Sequence, residues 1–109
     1  MYVEEHENVV LITVDSLRYD FLFDNRGKPL TEFIGKIARN SIIFKNAFSN
    51  GAGTPACFPS IMSSTYPLMY GGYRGLNRRR APIAEILENE GYFTVGVPNN
   101  AYLSRVFGY

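Results

Sequence analysis

The sequence predicts an α/β fold in which a mainly parallel sheet is flanked by helices. Two observations carry this prediction. The segment 8–14 is nearly continuously apolar and β-branched, as is typical of a strand buried on both faces. Helical and strand patterns then alternate along the chain, which indicates parallel βαβ units.

The first predicted strand stops at Asp15, and helical spacing of apolar residues follows from Pro29, which suits a first helical turn. Gly91 marks the expected end of a later helix. The predicted elements after the first strand are a helix over 29–38, a strand over 41–48, a short helix beginning near 58 or 59, a helix over 82–90, a strand over 93–97 and the start of a helix over 101–107.

Length and composition fit a single domain, since the chain has 109 residues and is 46% hydrophobic. Three predicted strands leave both sheet edges open, so residues 1–109 are expected to be a single partial domain. No apolar run is long enough for a transmembrane helix, and the residues before the first strand are acidic rather than basic. The one cysteine, Cys57, excludes an internal disulfide. We therefore expect a cytoplasmic protein that does not bind membranes.

Charge is distributed unevenly along the chain. Seven basic residues and no acidic residue lie between Phe33 and Ala84. Such a region attracts anions, for example phosphate or sulfate esters, although a run of charge is more often a solvated basic face that binds nothing in particular. Tyrosines beside the arginines resemble a base-stacking surface only loosely, and we expect no nucleic-acid partner.

Two residues could carry chemistry. Asp15 follows the first strand, at the sheet edge where α/β proteins bind ligands, and its carboxylate suits a divalent cation. It could equally cap the turn there. Cys57 follows a glycine-rich loop and precedes the predicted helix start near 58, where backbone N–H groups favour an anion. A buried structural cysteine is the alternative.

Other catalytic arrangements are disfavoured. His6 is the only histidine and is expected at the surface, so a Ser–His or Cys–His pair within the chain is not expected. Neither a P-loop nor a GxGxxG motif is present. The glycine-rich stretch 71–75 resembles a phosphate-binding loop only loosely and is more typical of an ordinary turn.

Three stretches resemble the N-terminal part of sulfatases of the alkaline-phosphatase superfamily. Residues 8–20, NVVLITVDSLRYD, are similar to the first strand and metal-binding turn of that family. Residues 57–67, which begin CFPS and end STYP, resemble the nucleophile motif CxPSR with its downstream TGxYP. Residues 83–94 resemble the helix–strand unit LAExLkxxGYxT. The three motifs occur in the family's order and spacing.

The resemblance implies an alkaline-phosphatase-like domain of which this chain is the N-terminal segment. It implies that Cys57 is the precursor of formylglycine, whose hydrate attacks the ester, and that Asp15 and Ser16 occupy metal-binding positions. A divalent cation, Ca²⁺ or Mg²⁺, and a small anionic sulfate or phosphate ester would be the cofactor and substrate. The remaining metal ligands of the family come from a C-terminal region.

The chain departs from the family pattern at the motifs themselves. Ser16 replaces a second aspartate, and Ile61 replaces the arginine that is part of the signal for formylglycine formation. Residues 99–101 replace the family's lysine–histidine pair. Related phosphodiesterases use Thr or Ser in a setting similar to Cys57. An unmodified thiolate and an inactive descendant therefore both stay open.

The first functional expectation is a sulfatase-like, metal-dependent hydrolase of sulfate esters, inactive as the 109-residue chain alone. A phosphodiesterase or phosphatase of the same superfamily and a non-catalytic anion-binding remnant are the alternatives. Asp15 and Cys57 are expected to lie within several ångströms of each other at one sheet edge. The sequence does not indicate an oligomeric state.

Overall fold

The structure is a computed structural model that describes residues 7–70, 75–77 and 79–109. The chain divides into two compact units, one formed by Asn8–Ala47 and the other containing Phe48–Tyr109. The α-helices within the described residues are α1 (Glu32–Ala38), α2 (Thr54–Ser63) and α3 (Ile83–Asn89). Single 3-10 turns lie at Tyr19–Phe21, Pro67–Tyr70, Ala101–Leu103 and Arg105–Phe107.

Helix α1 confirms the helix predicted over 29–38, with a later start. Thr31 has extended backbone angles and its Oγ1 accepts a hydrogen bond from the Ile34 N–H at 3.1 Å. That side chain satisfies one of the free N–H groups of the first turn and fixes the beginning of the helix at Glu32. Glu32 and Lys36 then pair across one turn at 2.8 Å.

Helix α3 ends as its sequence predicts. Gly91 has φ +88°, the left-handed conformation that glycine adopts without steric cost. Its N–H donates to the Glu88 carbonyl at 3.0 Å, and the Tyr92 N–H donates to the Leu87 carbonyl at 3.0 Å. These two bonds form a Schellman motif, which satisfies carbonyls that the helix end would otherwise leave free.

Helix α2 begins earlier than predicted, which corrects the expected start near Phe58 or Pro59. Gly53 is its N-cap and Pro55 lies in its first turn, whereas Pro59 lies inside the helix. Proline is favoured in the first turn of a helix, and a start near residue 58 or 59 would have placed Pro59 there. The structure gives that role to Pro55 and accommodates Pro59, fully buried, one turn later. Ser64, with φ +53°, ends the helix.

The three segments predicted as strands have no regular secondary structure in the described residues. Outside those three segments, the described residues contain one isolated antiparallel β-bridge, between Phe23 and Pro29. Val10 is 78% exposed and Phe93 is 93% exposed, so neither of their segments has a neighbouring layer. A strand is stabilised only by the partners that pair with it. The parallel sheet therefore remains a prediction.

The unit Asn8–Ala47 is organised around a tight turn. The Asp24 carboxylate accepts hydrogen bonds from the backbone N–H groups of Arg26 and Lys28, at 2.9 and 2.8 Å. Gly27, with φ +77°, closes the turn. Just before the turn, the buried Phe23 stacks on Tyr19, with ring centroids 5.1 Å apart.

No helix in the described parts of the chain is long and apolar enough to cross a membrane. His6 and residues 71–74 of the glycine-rich stretch lie outside the described residues, so the expectations about them stay predictions.

Candidate functional site

Cys57 lies in the first turns of α2 rather than in front of the helix. Its backbone N–H donates to the carbonyl of Gly53, the N-cap residue, at 3.0 Å. That N–H is therefore already used by the helix, and it is not free to bind an anion as the sequence prediction required. The expectation that Cys57 immediately precedes a helix start is corrected accordingly, although the residue stays close to the positive end of the helix.

The side chain of Cys57 is held by the loop that precedes α2. Its Sγ lies 2.8 Å from the carbonyl oxygen of Gly51, to which the thiol donates, and 3.4 Å from the hydroxyl oxygen of Ser49. The thiol is half-buried. We call Ser49, Gly51 and Cys57 the thiol cradle. Its geometry gives the sulfur one fixed acceptor and one hydroxyl neighbour.

The absence of a side chain at Gly51 brings the loop to the helix. A Cβ atom at Gly51 would lie 2.4 Å from the Cβ of Ala56, closer than two such atoms can approach. Any larger residue would push the loop away from the helix and take the Gly51 carbonyl away from the thiol. The cradle therefore depends on glycine at position 51.

Two neighbours of Cys57 on α2 bear on the nucleophile motif. Ser60 follows by three residues, which places it on the same side of the helix, and its hydroxyl is buried without a hydrogen-bond partner. Ile61, which stands where the sulfatase motif has arginine, is 51% exposed. A longer side chain at position 61 would reach solvent without displacing packed atoms.

Asp15 and Ser16, the residues predicted to bind a metal, form an exposed turn. Ser16 has φ +58°, so the chain reverses directly after Asp15, which agrees with the turn expected there. Asp15 belongs to the unit Asn8–Ala47 and Cys57 belongs to the unit Phe48–Tyr109. Their expected proximity stays a prediction.

The described residues do not form a complete metal site. Among them, no three side chains of His, Cys, Asp or Glu are grouped closely enough to hold a metal ion. Ca²⁺ takes about six to eight oxygen ligands, so the single carboxylate of Asp15 cannot hold it alone. The metal-binding role of Asp15 and Ser16 therefore stays a prediction.

The predicted basic region is not one uniform charged face. Lys36 is paired with Glu32, and Arg80 is buried, with one guanidinium nitrogen donating to the Pro67 carbonyl at 2.6 Å. Arg80 therefore anchors the turn that follows the STYP stretch. Buried in this way, it is a structural cation and not part of a solvated basic face.

Sequence reasoning missed the cradle partners of Cys57. In the sequence, Ser49 and Gly51 are only parts of the glycine-rich loop that precedes Cys57. Their contacts depend on how that loop folds over α2, and residue spacing alone does not reveal this. The one available signal was the Ser-x-Gly tripeptide shortly before the cysteine.

Comparison with known proteins supports the resemblance noted in the sequence. No curated protein and no solved structure matched the chain. The family model described as Sulfatase matches residues 7–107, which is nearly the whole chain and includes Asp15, the thiol cradle and α3. The chain therefore belongs to the sulfatase family of hydrolases.

Proposed function

We propose that this chain carries the nucleophile of a sulfatase-like hydrolase of small sulfate esters, with Cys57 as the nucleophile or its precursor. The observation that carries the proposal is the position of the Cys57 thiol. It is half-buried, held by two loop atoms and close to the positive end of a ten-residue helix. The positive end of a helix favours negative charge, which suits an anionic nucleophile and an anionic ester.

The proposed reaction is a displacement at the sulfur of the ester. The nucleophile at position 57 forms a bond to the ester sulfur, the bond from that sulfur to the alcohol oxygen breaks, and the alcohol leaves with a proton from solvent. If the nucleophile is the cysteine thiolate, water then cleaves the new S–S bond and releases sulfate; a formylglycine hydrate would instead expel sulfate with its second hydroxyl. We propose that a divalent cation, Ca²⁺ or Mg²⁺, is also required, with Asp15 as one ligand. Ser16, which lacks a carboxylate, would be a weaker ligand than the aspartate it replaces.

A phosphodiesterase or phosphatase of the same superfamily is the second candidate. The observation that favours it is Ile61, because the missing arginine weakens the case for formylglycine and leaves the cysteine side chain to act directly. A non-catalytic anion-binding role would remain if Cys57 proved dispensable.

The test uses the protein as its host produces it, purified through a tag on the chromosomal copy. Hydrolysis of an aryl sulfate and of an aryl phosphate diester is measured with added Ca²⁺ or Mg²⁺. We expect Cys57→Ala to abolish turnover, while Cys57→Ser retains measurable hydrolysis of the phosphate ester. Full activity in Cys57→Ala would show that Cys57 is structural and would overturn the proposal.

Intact-mass measurement separates the two forms of the nucleophile. Conversion to formylglycine replaces the thiol-bearing methylene with an aldehyde, which changes the mass of this one residue. Because Ile61 is half-exposed, Ile61→Arg can be introduced without a packing cost. We expect this variant to carry more formylglycine than the wild type when a modifying enzyme is present. An equal fraction in both would show that position 61 does not control the modification.

A further inference from the structure

We infer that Ser49 is a positioning residue for Cys57. The Ser49 hydroxyl donates a hydrogen bond to the Cys57 thiolate when the sulfur loses its proton. The inference rests on the proposed function, in which Cys57 is the nucleophile. It goes beyond the family motif, because Ser49 lies eight residues before the cysteine, in the loop that precedes α2.

The Ser49 hydroxyl oxygen is held in place by the backbone of Gly51. It accepts the Gly51 N–H at 3.4 Å and donates to the Gly51 carbonyl. The same oxygen lies 3.4 Å from the Cys57 sulfur, which is within hydrogen-bonding distance for sulfur. Rotation about the Cβ–Oγ bond therefore redirects the hydroxyl hydrogen from the carbonyl to the sulfur while the heavy atoms stay in place.

Loss of the thiol proton turns the sulfur from a hydrogen-bond donor into an acceptor. In the resting state the thiol donates to the Gly51 carbonyl at 2.8 Å. Once a base in solution has taken that proton, a negatively charged sulfur faces the negative end of the carbonyl dipole. The Ser49 hydroxyl is then the neighbouring side-chain donor, and a hydrogen bond to a charged acceptor is stronger than one to a neutral acceptor.

The chain offers a clean measurement, because Cys57 is its only cysteine. Iodoacetamide alkylates the thiolate: the Sγ–C bond forms, the C–I bond breaks and iodide leaves. Intact mass follows the reaction on the thiol-bearing protein. The variants are Ser49→Ala, Ser49→Thr, which keeps the hydroxyl, and Ser41→Ala, a control in which a hydroxyl that bonds to the Ile37 carbonyl is removed elsewhere.

At neutral pH we expect alkylation of Ser49→Ala to be about threefold to tenfold slower than that of the wild type, because a hydrogen bond to a charged group is lost. Ser49→Thr and Ser41→Ala should react at the wild-type rate. In concentrated urea all four proteins should react equally fast, which confirms that the native difference comes from the folded cradle.

Three results would overturn the inference: an unchanged or faster rate in Ser49→Ala, a rate in Ser49→Thr as slow as in Ser49→Ala, or a wild-type rate that is the same with and without urea. The readout is the reactivity of the thiol and not ester hydrolysis. A protein that hydrolyses neither ester would therefore contradict the proposed function and leave the Ser49 result to be judged by itself.

Discussion

The hydroxyl of Ser60 is buried inside the molecule without a hydrogen-bond partner, although a serine a few residues further along α2 is well bonded. Ser63 donates to the Pro59 carbonyl at 2.5 Å and lies 2.8 Å from the Thr65 hydroxyl. A buried polar group without a partner costs about 1–3 kcal/mol of stability. The structure therefore assigns opposite energetic roles to two serines on one helix.

We expect Ser60→Ala to raise the free energy of unfolding by about 1 kcal/mol, because an unsatisfied hydroxyl disappears and alanine favours the helix. Ser63→Ala is the matched control, and it should lower the free energy of unfolding by about 1 kcal/mol because its hydrogen bonds are lost. Urea unfolding followed by circular dichroism measures both. Destabilisation by Ser60→Ala would show that the Ser60 hydroxyl has a partner in solution.

Tyr109 gives the molecule a predicted sensitivity to alkaline pH. Its ring packs edge-on against Phe58 with centroids 5.7 Å apart, and burial raises the pKa of its hydroxyl, while the charge of Arg80 opposes that rise. Since the folded state holds this proton more tightly than the unfolded chain, the stabilisation is complete below the unfolded pKa of about 10. It is lost as pH rises through the higher pKa of the folded state.

The melting temperature of the wild type should therefore fall above about pH 10. The melting temperature of Tyr109→Phe should fall less steeply, because phenylalanine has no hydroxyl proton to lose. Thermal unfolding at a series of pH values between about 8 and 11 measures the difference. Identical pH profiles for the two proteins would mean that Tyr109 is as exposed in the folded state as in the unfolded chain.

At the scale of elements, helix boundaries set by local chemistry were predictable and those set by distant contacts were not. The end of α3 follows from Gly91 and the residues just before it. The start of α2 was misplaced because two prolines lie four residues apart, and sequence rules do not say which of them occupies the first turn. The position of the loop that contacts Cys57 could not be predicted, because it depends on the close contact between Gly51 and Ala56 in the folded chain.

The glycine at the end of α3 can be tested against a second glycine that lacks its constraint. A Cβ atom would have nothing within 4 Å at either Gly91 or Gly96, so neither substitution creates a clash, but only Gly91 of the two has a positive φ. Gly91→Ala should cost about 1–2 kcal/mol of stability, because alanine is strained in the left-handed conformation. Chemical denaturation measures the loss.

Gly96→Ala is the control, and it should be neutral or slightly stabilising because it reduces the freedom of the unfolded chain. If both variants lost equal stability, the effect would come from removing glycine in general and not from the helix cap. A neutral Gly91→Ala would contradict the Schellman geometry at this end of α3.

At the scale of the whole molecule, the segments with the strongest strand pattern carry exposed apolar side chains. In the first of them, Leu11 and Ile12, which a strand would place on opposite faces, are 55% and 79% exposed. Burying such a side chain contributes about 1.5–3 kcal/mol. The apolar, β-branched pattern of each strand is visible in a short stretch of sequence. A parallel sheet, in contrast, requires neighbouring strands that come from distant parts of a chain.

The predicted metal site also needs groups from several parts of a chain, and this leads to a prediction for the 109-residue chain expressed by itself. Asp15 provides one carboxylate, and a divalent cation needs several oxygen ligands held together. We therefore expect this chain to release no more nitrophenol from nitrophenyl sulfate, with Ca²⁺ or with Mg²⁺, than the Cys57→Ala variant does. Metal-dependent turnover that disappears in Cys57→Ala would contradict this expectation, because it would mean that these 109 residues gather every group that the reaction needs.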